Sequence, residues 1–125
     1  MTIYGDAAVK ATELLVSKKC NSPRVAWDWA IKAFTKSEES RKKVCPRNAY
    51  LGLCGAGLVK GVVCDEYAKN ENGEYAVELV RVIKANPEIV SIPQEELFHK
   101  VAPGVKENGQ VGVVFALFEN KLIVF

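Results

Sequence analysis

The chain is poor in the residues that most often build metal and nucleophile sites. It has one histidine, His99, and its four cysteines, at 20, 45, 54 and 64, stand nine or more residues apart with no Cys-x-x-Cys pair. A structural zinc site takes four convergent Cys or His ligands, so neither a metal nor any other cofactor is expected. The glycines at 52, 55, 57 and 61 match neither the dinucleotide nor the P-loop spacing, and no strand pattern precedes them. That excludes a phosphate-cradling loop. No apolar run approaches the ~20 residues needed to cross a bilayer, so no membrane partner is expected. Asp6, Lys10 and Glu13 interrupt the first segment. No signal peptide is read there, and the thiols are expected to be reduced in a cytoplasmic protein. An excess of one charge is missing too. Seventeen basic and 15 acidic residues leave +2, too little for a global pull toward nucleic acid.

What is present has the balance of a folded domain: 49% of the 125 residues are hydrophobic and 26% are charged. The length suits a single domain over residues 1–125, burying about two thirds of its unfolded surface. Two segments recur in the same order. Gly5-Asp6-Ala7-Ala8-Val9 through Leu15 returns as Gly73-Glu74-Tyr75-Ala76-Val77 through Ile83, at an offset of 68. The segment from Tyr50 to Val59 returns as Val114 to Ile123, at an offset of 64. Ordered self-similarity points to one supersecondary unit used twice, in halves of about 1–61 and 70–125.

Each half reads as three helices. Residues 4–18 carry apolar positions at Ala8, Val9, Ala11, Leu14 and Leu15, ending in Lys18-Lys19. Ser22-Pro23 starts the next helix, because serine caps free amides and proline fits the first helical position. Val25, Ala26, Trp29, Ala30 and Ala33 are expected on its inner face, with Trp27 and Phe34 beside it. Two positions apart, the tryptophans point to opposite sides of a helix, so one belongs to the core and the other is partly exposed. Residues 35–43 form a polar loop or a single solvated turn. Cys45-Pro46 opens a third helix, and Gly57-Leu58 closes it as a Schellman stop. A linker is expected over 62–72. A helix follows that Asn86-Pro87 must end, and Ser91 to Gln94 reads as a capping box before another. Residues 111–118 favour strand by propensity alone. Their match to the helix that ends at Gly57 makes them a helix, with Lys121 in the strained position of Gly57 and a non-regular tail over 122–125. The fold expected is all-α, about six helices in two halves sharing one core.

The stretch from Cys45-Pro46-Arg47-Asn48-Ala49-Tyr50 to Gly61, with Pro23-Arg24-x-Ala26-Trp27 and Asn108-Gly109-Gln110, resembles an uncharacterised family of small bacterial proteins, of a kind also found as mobile gene-cassette cargo. The resemblance covers most of the chain and implies an all-helical domain, with no activity and no catalytic residues to carry over. The family pattern favours a tryptophan near Phe118, where this chain departs from it.

Chemistry concentrates around the third helix start. Cys45 at a helix N-terminus, near Arg41, Lys42, Lys43 and Arg47, has surroundings that favour a thiolate, and His99 is the one available base. The same amides with Arg47 and Asn48 suit a small anion. The structural alternative is that Arg47 and Asn48 lock the polar loop. The basic run from Lys36 to Arg47, with Tyr50 or Trp27 to stack on a base, suits nucleic acid. Glu38 and Glu39 partly neutralise it, and no recognition helix is evident. Gly52 and Gly55, with Ala49 and Ala56, suit close helix packing. No residue is assigned catalysis. The expected function is a non-enzymatic cytoplasmic binding module, monomeric or homodimeric, for an unknown protein or small-molecule partner. Its groove is placed at Cys45, Arg47, Asn48, Tyr50 and Trp27.

Overall fold

The computed structural model describes residues 2–63 and 70–124; Cys64, Phe125 and the middle of the expected linker lie outside the described residues. Every regular element among them is helical. In chain order they are α1 (Ile3–Val16), α2 (Pro23–Lys32), the single turn α3 (Glu38–Arg41), α4 (Val44–Gly55), α5 (Glu71–Ala85), a 3-10 turn (Pro87–Ser91), α6 (Gln94–Val101) and α7 (Gln110–Glu119). Leaving out the single turn α3, six helices remain, and the chain is all-α.

Local chemistry sets most of the ends. Thr2 Oγ1 accepts from the Gly5 amide at 3.0 Å, Ser22 Oγ from Val25 at 3.3 Å and Asn70 Oδ1 from Gly73 at 2.6 Å. Each satisfies an amide that the first helical turn leaves free. At the far end of α4, Gly57 has φ +74°. Leu58 N donates to Leu53 O at 3.0 Å and Gly57 N to Cys54 O at 3.1 Å, the paired bonds of a Schellman stop. The end of α7 makes the same two bonds, Leu122 N to Leu117 O at 2.8 Å and Lys121 N to Phe118 O at 3.0 Å. There a lysine holds φ +59°. Helix therefore wins over strand at residues 111–118, and the tail adds only an isolated antiparallel bridge from Ile123 to Val59.

One buried cluster draws on all six long helices. α1 packs on α2 and α7, and α4 on α5 and α7. Small residues let these pairs close. Ala7, Ala8 and Ala11 of α1 are fully buried. A Cβ added at Gly5 would stand 2.8 Å from Ala116 Cβ and from Gly112 O, and one at Gly52 would overlap the Cα of Gly73.

Three expectations need correction. α2 buries Ala26, Trp27, Ala30 and Ile31 and leaves Val25 and Trp29 outside, so its inner face is rotated from the one expected. The Ser91–Gln94 capping box does not form. Ser91 instead donates to Glu88 O at 2.9 Å within the 3-10 turn, and Pro93 precedes α6 without a side-chain cap. α5 begins at Glu71 because Asn70 is its cap, which moves Glu71 and Asn72 from linker to first turn.

Gly52→Ala is expected to cost about 2–3 kcal/mol, since backbone rather than a side chain must yield. Lys121→Gly is expected to gain up to about 1 kcal/mol by relieving the left-handed lysine. Urea unfolding midpoints check both; an unchanged Gly52→Ala midpoint contradicts the first.

Candidate functional site

The five residues singled out by sequence fall into two groups. Trp27 and Tyr50 are 0% exposed, with ring centroids 5.6 Å apart and planes tilted by 32°. Thr12 Oγ1 donates to Ala8 O at 2.8 Å. That commits its one proton, so at the 2.8 Å contact between them the Tyr50 hydroxyl is the donor to Thr12. Burial first, then the neighbouring Cys54 thiol, pushes the Tyr50 phenol well above its ordinary pKa. Trp27 Nε1 is buried without a hydrogen-bond partner. Neither ring meets solvent, and the pair belongs to the core rather than to a groove. The cause is geometric: α2 turns positions 26, 27, 30 and 31 inward, and α4 turns Ala49, Tyr50 and Leu53 inward to meet them.

Cys45, Arg47 and Asn48 are half-buried at the start of α4. Lys43 precedes that helix without a side-chain cap. Arg47 Nε is buried and makes no hydrogen bond. The Asn48 carbonyl accepts from Asn70 Nδ2 at 3.4 Å, which ties the first turns of α4 and α5 together. His99 sits exposed on α6, where it lines a shallow depression of about 430 Å³ with Glu95, Glu96 and Lys100. α6 packs on α5 and the 3-10 turn. Much of the basic run has local work. Arg41 Nε donates to Thr35 O at 2.8 Å, Lys42 Nζ lies 3.8 Å from Glu38 Oε1, and Lys43 Nζ stands 5.7 Å from the centre of the Tyr4 ring. Among the described residues no three His, Cys, Asp or Glu side chains gather as metal ligands. None of their helices is long and apolar enough to cross a membrane.

The outer face of α2 is an apolar surface that packing among the described residues leaves uncovered. Trp29 is 60% exposed and Val25 48% exposed. With exposed Ala33 they form a stripe at i, i+4 and i+8, and exposed Phe34 follows at the helix end. Arg24, paired with Asp28 at 3.5 Å, borders the stripe, as does exposed Lys32, and exposed Lys36 lies just beyond the helix. Its charge belongs to a wider asymmetry. Residues 1–60 hold eleven Lys or Arg against five Asp or Glu, while residues 61–125 hold six against ten. Nothing within α2 separates the two tryptophans: the charged stripe of Arg24, Asp28 and Lys32 is flanked by Trp27 and Ile31 on one side and by Val25 and Trp29 on the other.

Residues 1–124 match the model of a family of unknown function, DUF6979. No curated protein and no solved structure matches the chain.

Tyr50→Phe is expected to cost about 1 kcal/mol at neutral pH through the lost Thr12 bond. Because the folded-state pKa is raised, the unfolded chain ionises first. Tyr50 therefore favours folding fully below about pH 10, and that contribution is lost as pH rises beyond it. Melting temperatures of parent and variant between pH 8 and 11 check this: the parent should fall more steeply above pH 10, and parallel curves contradict it.

Proposed function

We propose that this chain, which belongs to the DUF6979 family of unknown function, is a non-enzymatic interaction module that docks an acidic segment of a partner protein, anchored by an apolar side chain, on the outer face of α2. The observation that carries this is Trp29, 60% exposed on a helix whose other tryptophan is wholly buried. An indole covered by a partner contributes about 2–4 kcal/mol of apolar burial, and exposed tryptophan is a favoured anchor of protein interfaces. The stripe of Val25, Trp29 and Ala33 presents the i, i+4 spacing that a helical or extended segment can follow. Lys32 and Lys36, with Arg24 held by Asp28, give its rim a basic character that selects acidic partners and speeds encounter. Cytoplasmic residence suits Cys20, Cys45 and Cys54, none of which forms a disulfide among the described residues. A protein partner is favoured over nucleic acid because Arg41, Lys42 and Lys43 are engaged in local contacts.

The test is to select a displayed random-peptide library on the full chain and repeat the selection on Trp29→Ala. Peptides combining acidic residues with an apolar anchor should be enriched on the parent. Their affinity should fall at least tenfold on Trp29→Ala, about 1.4 kcal/mol, and severalfold on Lys32→Glu, with unfolding midpoints unchanged. No enrichment, or enrichment indifferent to Trp29, overturns the proposal. So does salt-sensitive binding of random DNA or RNA oligonucleotides that depends on Trp29 in the absence of peptide binding.

A further inference from the structure

We infer that the seam between residues 2–63 and 70–124 is an isologous interface held within one chain: each half meets the other with the same surface, and the partner that surface fits is a copy of the same unit. In an isologous contact, residue i of one copy meets j of the other while j of the first meets i of the second. The bridge between the halves obeys that rule. Lys60 N donates to Leu122 O at 2.7 Å, and Val124 N donates to Leu58 O at 2.9 Å. Shifting each residue of the first bond by 64 positions into the opposite half produces the second bond. Val59 and Ile123, also 64 apart, pair with each other, which places a local two-fold axis between them.

The helix crossings follow the same exchange. Gly5 of α1 is seated against Ala116 of α7, and Gly73 of α5 against Gly52 of α4. The offset of 68 carries Gly5 to Gly73, and the offset of 64 carries Ala116 back to Gly52. One seat therefore becomes the other with the halves exchanged. The caps agree: Thr2 holds Gly5 N as Asn70, at the offset of 68, holds Gly73 N. The stops agree as well, Gly57 with Lys121 and Leu58 with Leu122, at the offset of 64. Two similar helices in unrelated places would share caps and stops. They would have no reason to bond to each other through their own equivalent positions. The copies diverge where α2 covers α1 but the 3-10 turn and α6 cover α5.

The experiment exchanges the two tails within the full chain, placing Gly55–Lys60 at 119–124 and Glu119–Val124 at 55–60. Two controls make the exchange at offsets of 63 and 65. An isologous seam preserves every bridge bond in the first exchange, which should stay helical by circular dichroism and melt within about 5 °C of the parent. At 63, Leu58 enters the left-handed position 121 and Lys60 the buried bridge position 123; at 65, Leu122 enters the left-handed position 57 and Gly57 takes the place of Leu122. Both controls should melt at least about 15 °C lower, several kcal/mol for a domain of this size. An exchange at 64 that loses as much as the controls overturns the inference. So does a chain that melts near the parent after all three exchanges.

Discussion

The meeting of Gly52 with Gly73, backbone against backbone, is the contact from which much of the remaining geometry follows. With no side chain on either helix at the crossing, α4 and α5 approach until their first turns share polar groups. Asn70, already occupied as the α5 cap, reaches the Asn48 carbonyl. Asn72, one residue before the crossing, accepts from Gln110 Nε2 at 2.9 Å. Gln110 is fully buried, and its carbonyl oxygen is satisfied by Asn108 N at 2.6 Å. A buried amide is costly unless it is paired on both sides, so the start of α7 depends on where the glycines put α5. α7 then offers α1 the seat at Gly112 and Ala116.

α2 stands at the edge of this arrangement and has two apolar faces. Ala26, Trp27, Ala30 and Ile31 fill the core, and Trp27 reaches Tyr50. Val25 and Trp29 remain outside. A helix apolar on both sides normally lies in a core. One that keeps a large aromatic in water, beside Arg24 and Lys32, retains surface that packing within this chain does not use. The acidic second half has no tryptophan at all, so the first half alone carries such an anchor.

Helix boundaries were legible where the deciding atoms are neighbours in sequence. Ser22-Pro23, Asn86-Pro87 and Gly57-Leu58 act through bonds within a few residues. The final helix was legible only through its match to an earlier segment, because its apolar run carries no period of its own. The close-packing role of Gly52 was legible from its spacing with small residues, although its partner was not. The orientation of α2 was hidden. Val25, Ala26, Trp29, Ala30 and Ala33 make as good an apolar face as Ala26, Trp27, Ala30 and Ile31, and only contact with α1 and α4 chooses between them. For the same reason the expected groove was misplaced at Trp27 and Tyr50. Ser91 failed as a cap because the 3-10 turn upstream had a nearer use for its hydroxyl.

The seat of Gly5 on α7 also has a meaning in time. Helical proteins usually fold through contacts close in sequence, but this first helix leans on residues more than a hundred positions later. A ribosome adding about 5–20 residues per second releases α1 roughly 5–20 s before the residues that complete its seat. In that interval α1 has α2 to lie against, and the face bearing Gly5, Ala8 and Thr12 waits in the open. The order of synthesis thus separates the local pairing of α1 with α2 from closure of the core, which must wait for the last helix.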